Sequence, residues 1–152
     1  MTVSVWYEGT SEIDCDIRRL EDALSDLGAF YVGIVSLMPG MTSVELVEQG
    51  PDFVTIKTNE GLMKRTSISK QVDVERVAVE LDEEYEAGSK VKATSHFSDE
   101  FTTSDTGVTH RLVISDLASP GFLGFFYRTF GSSKMGSAFL TAYKVYLEKQ
   151  PA

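Results

Sequence analysis

Basic side chains are in the minority in this sequence: 14 Lys and Arg stand against 23 Asp and Glu, for a formal net charge of −9. Phosphate backbones repel such a surface unless a local basic patch overcomes it, and no patch is visible, so nucleic acid is excluded as a partner. Cysteine is almost absent. Cys15 is alone, so no intramolecular disulfide can form, which suits a reducing compartment. No stretch of about 18 uninterrupted apolar residues is present to span a membrane, and Met1 to Thr10 lacks the basic region and apolar run of an export signal. A soluble, cytoplasmic protein is expected.

Signatures of familiar chemistry are missing as well. The chain has no Gly-rich phosphate loop, no His-Glu-x-x-His, no Cys-x-x-Cys and no Gly-x-Ser-x-Gly elbow. With one cysteine and only His96 and His110, a zinc site would need carboxylates from distant positions, so neither a metal nor a cofactor is expected. Cys15 lies between Asp14 and Asp16, whose charge disfavours a thiolate, and reads as structural.

What is present is the composition of one globular domain. At 152 residues, 42% hydrophobic and 24% charged, the chain can bury a core without a disulfide or metal. Val3, Val5 and Tyr7 alternate with polar neighbours in a first strand that runs on to Ile13. From Asp16 to Leu27 the apolar positions recur at three and four, giving a short helix capped by Asp14 or Asp16 and ended by Gly28. Phe30 to Met38 reads as a second short helix or a buried connector before Pro39-Gly40.

From Thr42 onward strands follow one another, with turns at Gly50-Pro51-Asp52, Asn59-Glu60-Gly61, Asp73 to Glu75, Ala87-Gly88-Ser89 and Ser104 to Gly107. Val77, Val79, Leu81 and Tyr85 face inward, and the charge run of Glu80, Asp82, Glu84 and Glu86 makes a solvated outer face. Closing the last hairpin with Thr103 opposite Val108 sets Phe101 opposite His110 and Phe97 opposite Ile114. Asp99 then points inward unless a bulge near Ser98 to Glu100 turns it out. Ser119-Pro120 opens a helical stretch of some 30 residues, about 45 Å, with Gly131 to Gly136 as the expected kink or break. Leu123, Phe126, Phe130, Phe139, Leu140, Tyr143 and Leu147 sample one broad face of it.

This order of strand, short helices, about six antiparallel strands and a long last helix resembles the START-like (SRPBCC) superfamily. The supporting residues are the opening strand into the Ile13 to Leu27 helix, the hairpins from Arg76 to Asp116, and the ending Phe139 to Glu148. The resemblance covers nearly the whole chain and is closest in kind to its polyketide cyclase/dehydratase-like branch. It implies an α+β helix-grip fold in which a curved antiparallel sheet of about seven strands wraps a long C-terminal helix as a single domain over residues 1–152. It further implies a cavity for lipids, polyketides, sterols, plant hormones or other apolar molecules. Members include carriers, aromatase/cyclase enzymes and adaptor domains, and fold alone does not choose among them.

Glu83, Tyr85, Ser95, Asp99 and His110 are the polar residues whose parity points them inward, on three neighbouring strands. A carboxylate in an apolar cavity has its pKa raised by desolvation, and a nearby His can share its proton, so His110 with Glu83 or Tyr85 is a candidate acid–base pair for cyclisation, dehydration or isomerisation. The bland alternative leaves Glu83 and Asp99 near strand ends in water, with His110 packed on Phe101. Phe97, Phe101, Phe126, Tyr127, Phe130 and Tyr143 either line a pocket or fill a core. Lys64 and Arg65 read mostly as surface charges, with the option of reaching a cavity mouth.

Three functions fit these residues. The first is a carrier or sensor binding a small apolar molecule through Phe97, Phe101, His110, Ser95, Tyr85, Phe126, Phe130 and Tyr143. The second is a cyclase or dehydratase. The third is a protein-interaction domain with a filled interior. The first needs only the pocket and is favoured, with the chain otherwise a monomer or weak homodimer.

Overall fold

The computed structural model describes residues 5–87, 91–118 and 132–149. Strand β1 (Val5–Ile13) leads into helices α1 (Ile17–Leu24) and α2 (Leu27–Ser36). Six strands follow: β2 (Val44–Gln49), β3 (Val54–Thr58), β4 (Leu62–Val72), β5 (Arg76–Ala87), β6 (Val91–Ser104) and β7 (Gly107–Ala118). Helix α3 (Ser132–Glu148) ends the described chain. The strands form one antiparallel sheet in the order β1-β7-β6-β5-β4-β3-β2, and the two helices after β1 carry the chain from one edge of the sheet to the other. The curved sheet grips α3, which lies over β1 and β7 and touches α2.

The first helical segment differs from the pattern expected. Asp16 caps α1 by accepting from the Arg18 N–H, 2.9 Å away, but the helix stops at Leu24. Asp26 starts α2 by accepting from the Ala29 N–H, so a second capping residue, not Gly28, sets the break. Gly28 lies inside α2. Its N–H donates to Gln49 Oε1 at 2.9 Å, and a Cβ there would meet the same amide at 2.8 Å, so the Gln49 side chain of β2 is seated against the glycine.

In the long hairpins the alternation holds. Phe101 pairs with His110, Phe97 with Ile114 and Thr103 with Val108. The ladder is continuous through Ser98, Asp99 and Glu100, so no bulge turns Asp99 outward. Two of the sheet's irregularities change which residues face inward. Between Thr66 and Ser69, β4 advances three residues against two on β5, with Ser67 at φ 52°. The extra residue moves the inward set from Met63 and Arg65 to Ile68. Between Ser115 and Ala118, β7 does the same against β6, with Asp116 at φ 56°; this turns Asp116 out and brings Leu117 in.

Along α3, Phe139, Leu140, Tyr143 and Leu147 are buried on one face, at the three-and-four spacing a core-facing helix needs. Gly136 does not break this helix; it is buried within it, against the Tyr7 ring of β1. The expected helix start at Ser119-Pro120, Gly131, and the residues Leu123, Phe126, Tyr127 and Phe130 lie outside the described residues. Among the described residues, no helix is long and apolar enough to cross a membrane.

Candidate functional site

Between the inner sheet face, the end of α2 and α3 lies a cavity of about 120 Å³. Its wall is mostly apolar, with Phe97 from β6, Ile114 from β7 and Phe139 from α3 contributing its firmest part. Phe97 and Phe139 meet edge to face, ring centres 5.2 Å apart. Polar groups enter at four points: Glu60, Glu83, Tyr85 and Ser95. The Tyr85 hydroxyl lies 3.4 Å from Thr58 Oγ1 and 3.5 Å from Glu60 Oε2. Such a volume is close to that of apolar protein cavities that hold one benzene ring, and below the usual range for larger ligands.

Behind Phe97, Phe139 and Glu83 sits Arg65, which is fully buried. Its guanidinium lies over three rings, Phe97 at 4.7 Å, Tyr31 at 4.8 Å and Phe139 at 5.4 Å. Cation–π attraction to several rings is strongest where water is excluded. Its counter-ion is Glu83, the residue directly opposite on β5, with Nη2 and Oε1 3.8 Å apart. Sequence reading places Arg65 on the surface; the structure corrects this, because a lone Arg on a strand of mixed polarity carries no mark of which face it takes. Lys64, one residue earlier, faces out and pairs with Glu86.

The two partners respond differently to burial. Loss of solvent raises the Glu83 pKa above the ordinary carboxylate value, and the attraction of Arg65 offsets this only in part. Burial alone would lower the Arg65 value, but attraction to Glu83, then to Tyr143, Tyr31 and Asp99, outweighs it and raises it. The difference is physical: Arg65 is stabilised by several groups, whereas Glu83 has Arg65 alone. Arg65 is therefore the fixed charge, and Glu83 is the group of the pair that exchanges a proton.

A second buried polar set lies further along β6 and β7. His110 Nε2 is 2.7 Å from Asp99 Oδ1, and the Tyr143 hydroxyl donates to Asp99 Oδ2 at 3.3 Å. His110 stacks on Phe101 with ring centres 4.4 Å apart. Burial raises the Tyr143 pKa well above its ordinary value, and the Asp99 charge adds to that, so its hydroxyl remains a proton donor.

The inward polar residues of the sequence reading thus divide into two groups. Glu83, Tyr85 and Ser95 stand on the cavity wall with Phe97. Asp99, His110, Phe101 and Tyr143 form a packed cluster off the cavity wall, within electrostatic reach of Arg65. Glu83 and Asp99 do not reach water at strand ends: both are buried. Neither half of the expected acid–base pair meets the other, since His110 is held by Asp99 and Glu83 by Arg65. Phe126 and Phe130 lie outside the described residues.

The outer face of the sheet is different in kind. His96 is held between Asp82, 2.9 Å from Nδ1, and Glu80, 3.0 Å from Nε2. Among the described residues, no group of three or more His, Cys, Asp or Glu is placed to hold a metal ion.

With the gripped helix, the sheet order and the cavity in view, comparison with known proteins is informative at the level of structure. No family model and no curated protein matches the sequence. Protein Ms6760 from Mycobacterium smegmatis superimposes with a TM-score of 0.63 at 12% identity, over 96% of this chain and 98% of that one. A STAR-related lipid transfer protein from Xanthomonas axonopodis gives a TM-score of 0.56 at 14% identity, over 93% and 85% of the two chains. The fold is the START-like helix grip. The chain also matches the di-domain aromatase/cyclase BexL, with a TM-score of 0.51 at 13% identity over 95% of its length and 50% of that chain. At such identities the likeness carries the fold, and what the site does rests on its own residues.

Proposed function

We propose that this protein binds a small apolar molecule bearing one polar group, with the apolar body in the cavity and the polar end against Glu83. The observation that carries the reading is a mostly apolar cavity with a buried carboxyl of raised pKa on its wall and a fixed guanidinium behind that carboxyl. Apolar burial supplies affinity, at roughly 25 cal/mol per Å² removed from water. Specificity comes from Glu83, which donates to a ligand oxygen when protonated and accepts from a ligand hydroxyl when ionised. Ser95 and Tyr85 offer two further hydroxyls on the same wall. The likeness to a lipid transfer protein supports ligand binding as the general role.

Calorimetric titration with phenol, a single-ring probe that the resting volume admits, tests this reading. Wild-type protein is expected to bind it, and Ala93→Leu, which extends a side chain into the cavity from β6, to lose about tenfold or more in affinity while unfolding at a similar temperature. Absence of uptake by the wild type would sink the proposal.

A second reading is favoured by Glu83 specifically. A carboxyl whose pKa is raised by burial, on the wall of a ligand cavity, is a candidate for general acid–base chemistry. In that case Glu83 moves the proton and Tyr85 or Ser95 orients the substrate oxygen, while His110, held away in its own cluster, does not take part. Glu83→Gln would then keep ligand and lose turnover, whereas a carrier shows no turnover to lose.

A further inference from the structure

Every methionine after Met1 lies on the wall of the one cavity described above: Met38, Met41, Met63 and Met135. They come from four separate places in the chain. Met38 follows α2, Met41 stands in the connection to β2, Met63 is on β4 and Met135 on α3. The rest of the buried core contains Leu, Ile, Val and aromatic residues but no methionine. Their exposure is graded, from 5% at Met63 and 8% at Met38, through half-buried Met41, to 37% at Met135. The thioethers therefore run from the interior of the cavity to its outer rim.

We propose that these four methionines are the specificity-determining wall of the cavity, an adaptable side that admits flat apolar bodies larger than the resting space, up to three fused rings. The inference rests on the ligand-binding reading above. Methionine is unbranched, with three rotatable bonds and a polarisable sulfur, and it re-packs around differently shaped partners and against aromatic faces. Leucine and isoleucine have fewer shapes to offer. The other large lining groups yield less readily. Phe97 and Phe139 are locked edge to face and both lie against Arg65, while Ile114 is fixed in the β6–β7 ladder. A resting volume of about 120 Å³ accepts a single ring, so any larger body must displace the methionine side. The outward grading of exposure gives those side chains somewhere to move.

Calorimetric titration of the full chain with phenol, 1-naphthol and 9-phenanthrol tests the proposal, because each probe offers one hydroxyl and differs only in ring number. Wild-type protein is expected to bind all three, more tightly as rings are added. The fourfold variant M38L/M41L/M63L/M135L nearly conserves side-chain volume but removes the thioethers; it is expected to bind phenol within about twofold of wild type and 9-phenanthrol about tenfold more weakly. Identical size profiles in the two proteins overturn the role of the methionines and leave the cavity reading standing, as does a wild type that takes up phenol alone. A wild type that binds none of the three removes the cavity reading and this inference with it. Should the variant not fold, wild-type protein labelled with carbon-13 at the methionine methyls gives the same decision. Bound 9-phenanthrol is expected to shift the resonances of all four cavity methionines, and an unchanged methyl spectrum at saturation overturns the proposal.

Discussion

Replacing Arg65 by methionine strips a buried carboxylate of its cation, and the cost can be worked from the geometry. At 3.8 Å, with an effective dielectric constant of about 20, the lost attraction is about 4 kcal/mol. The protein has an easier route: Glu83 takes up a proton. Relative to its ordinary pKa of 4.5, protonation costs at most about 3 kcal/mol at pH 7 and about 0.7 kcal/mol at pH 5. The smaller figure decides, so the electrostatic penalty of Arg65→Met is capped near 3 kcal/mol at pH 7 and nearly vanishes at pH 5. For a domain of this size that is a fall in Tm of about 6–12 °C at the higher pH and about 1–3 °C at the lower. The methionine thioether retains contact with Phe97, Tyr31 and Phe139, which limits the loss of packing. Thermal unfolding followed by circular dichroism on wild type, Arg65→Met, Glu83→Gln and the double variant completes the cycle. Arg65→Met/Glu83→Gln is expected to regain most of the stability at pH 7, since no buried charge is then left unpaired. A penalty for Arg65→Met that is the same at both pH values, or a double variant no more stable at pH 7 than the single one, would refute this account of the pair.

Other outcomes follow from particular contacts. The imidazole of His96 is partly desolvated, which lowers its pKa, but bonds to Asp82 and Glu80 outweigh this and raise it above 6.5. The three groups therefore contribute stability that is complete below pH 6.5 and is lost as pH rises through the raised value, so His96→Gln should flatten the dependence of Tm on pH above 6.5. Gly136→Ala reverses the sign helix propensity predicts: alanine favours a helix by about 1 kcal/mol, but its Cβ would overlap the Tyr7 ring, and overpacking of about 1–3 kcal/mol should leave the variant less stable by denaturant titration. Burial, reinforced by Asp16, Glu148 and Asp14 against the pull of Arg19, pushes the Cys15 thiol up to about 11. Iodoacetamide at pH 8 should thus modify native protein far more slowly than protein unfolded in urea.

Much of the fold was legible because the hairpins from Arg76 to Asp116 combine strict alternation with turns whose lengths fix parity. A three-residue loop keeps odd positions opposite odd ones, so Leu81 meets Phe97 and Tyr85 meets Ala93, whereas the shorter turn between Ser104 and Gly107 sets odd opposite even and so Phe101 against His110. The inward direction of Glu83, Ser95, Asp99 and His110 followed from that register alone. Arg65 was not legible, because its burial depends on Glu83 two-thirds of the way along the next strand and on rings from α2, β6 and α3. The β4 bulge at Ser67 was hidden for a related reason: a serine in the left-handed region has no sequence mark comparable to glycine's. Gly28 misled because a glycine at the end of an apolar period usually marks a C-cap, whereas here it lies inside α2 with Gln49 seated against it. The gathering of the methionines is a tertiary fact, assembled from segments nearly 100 residues apart.

Native mass spectrometry of the purified chain, followed by solvent extraction and identification of any molecule it retains, tests the central claim most directly. The account predicts a discrete added mass, released on denaturation, belonging to a small apolar compound with a polar group and lost in Ala93→Leu. A bare chain mass in both proteins, with no binding of phenol by the wild type, would contradict it.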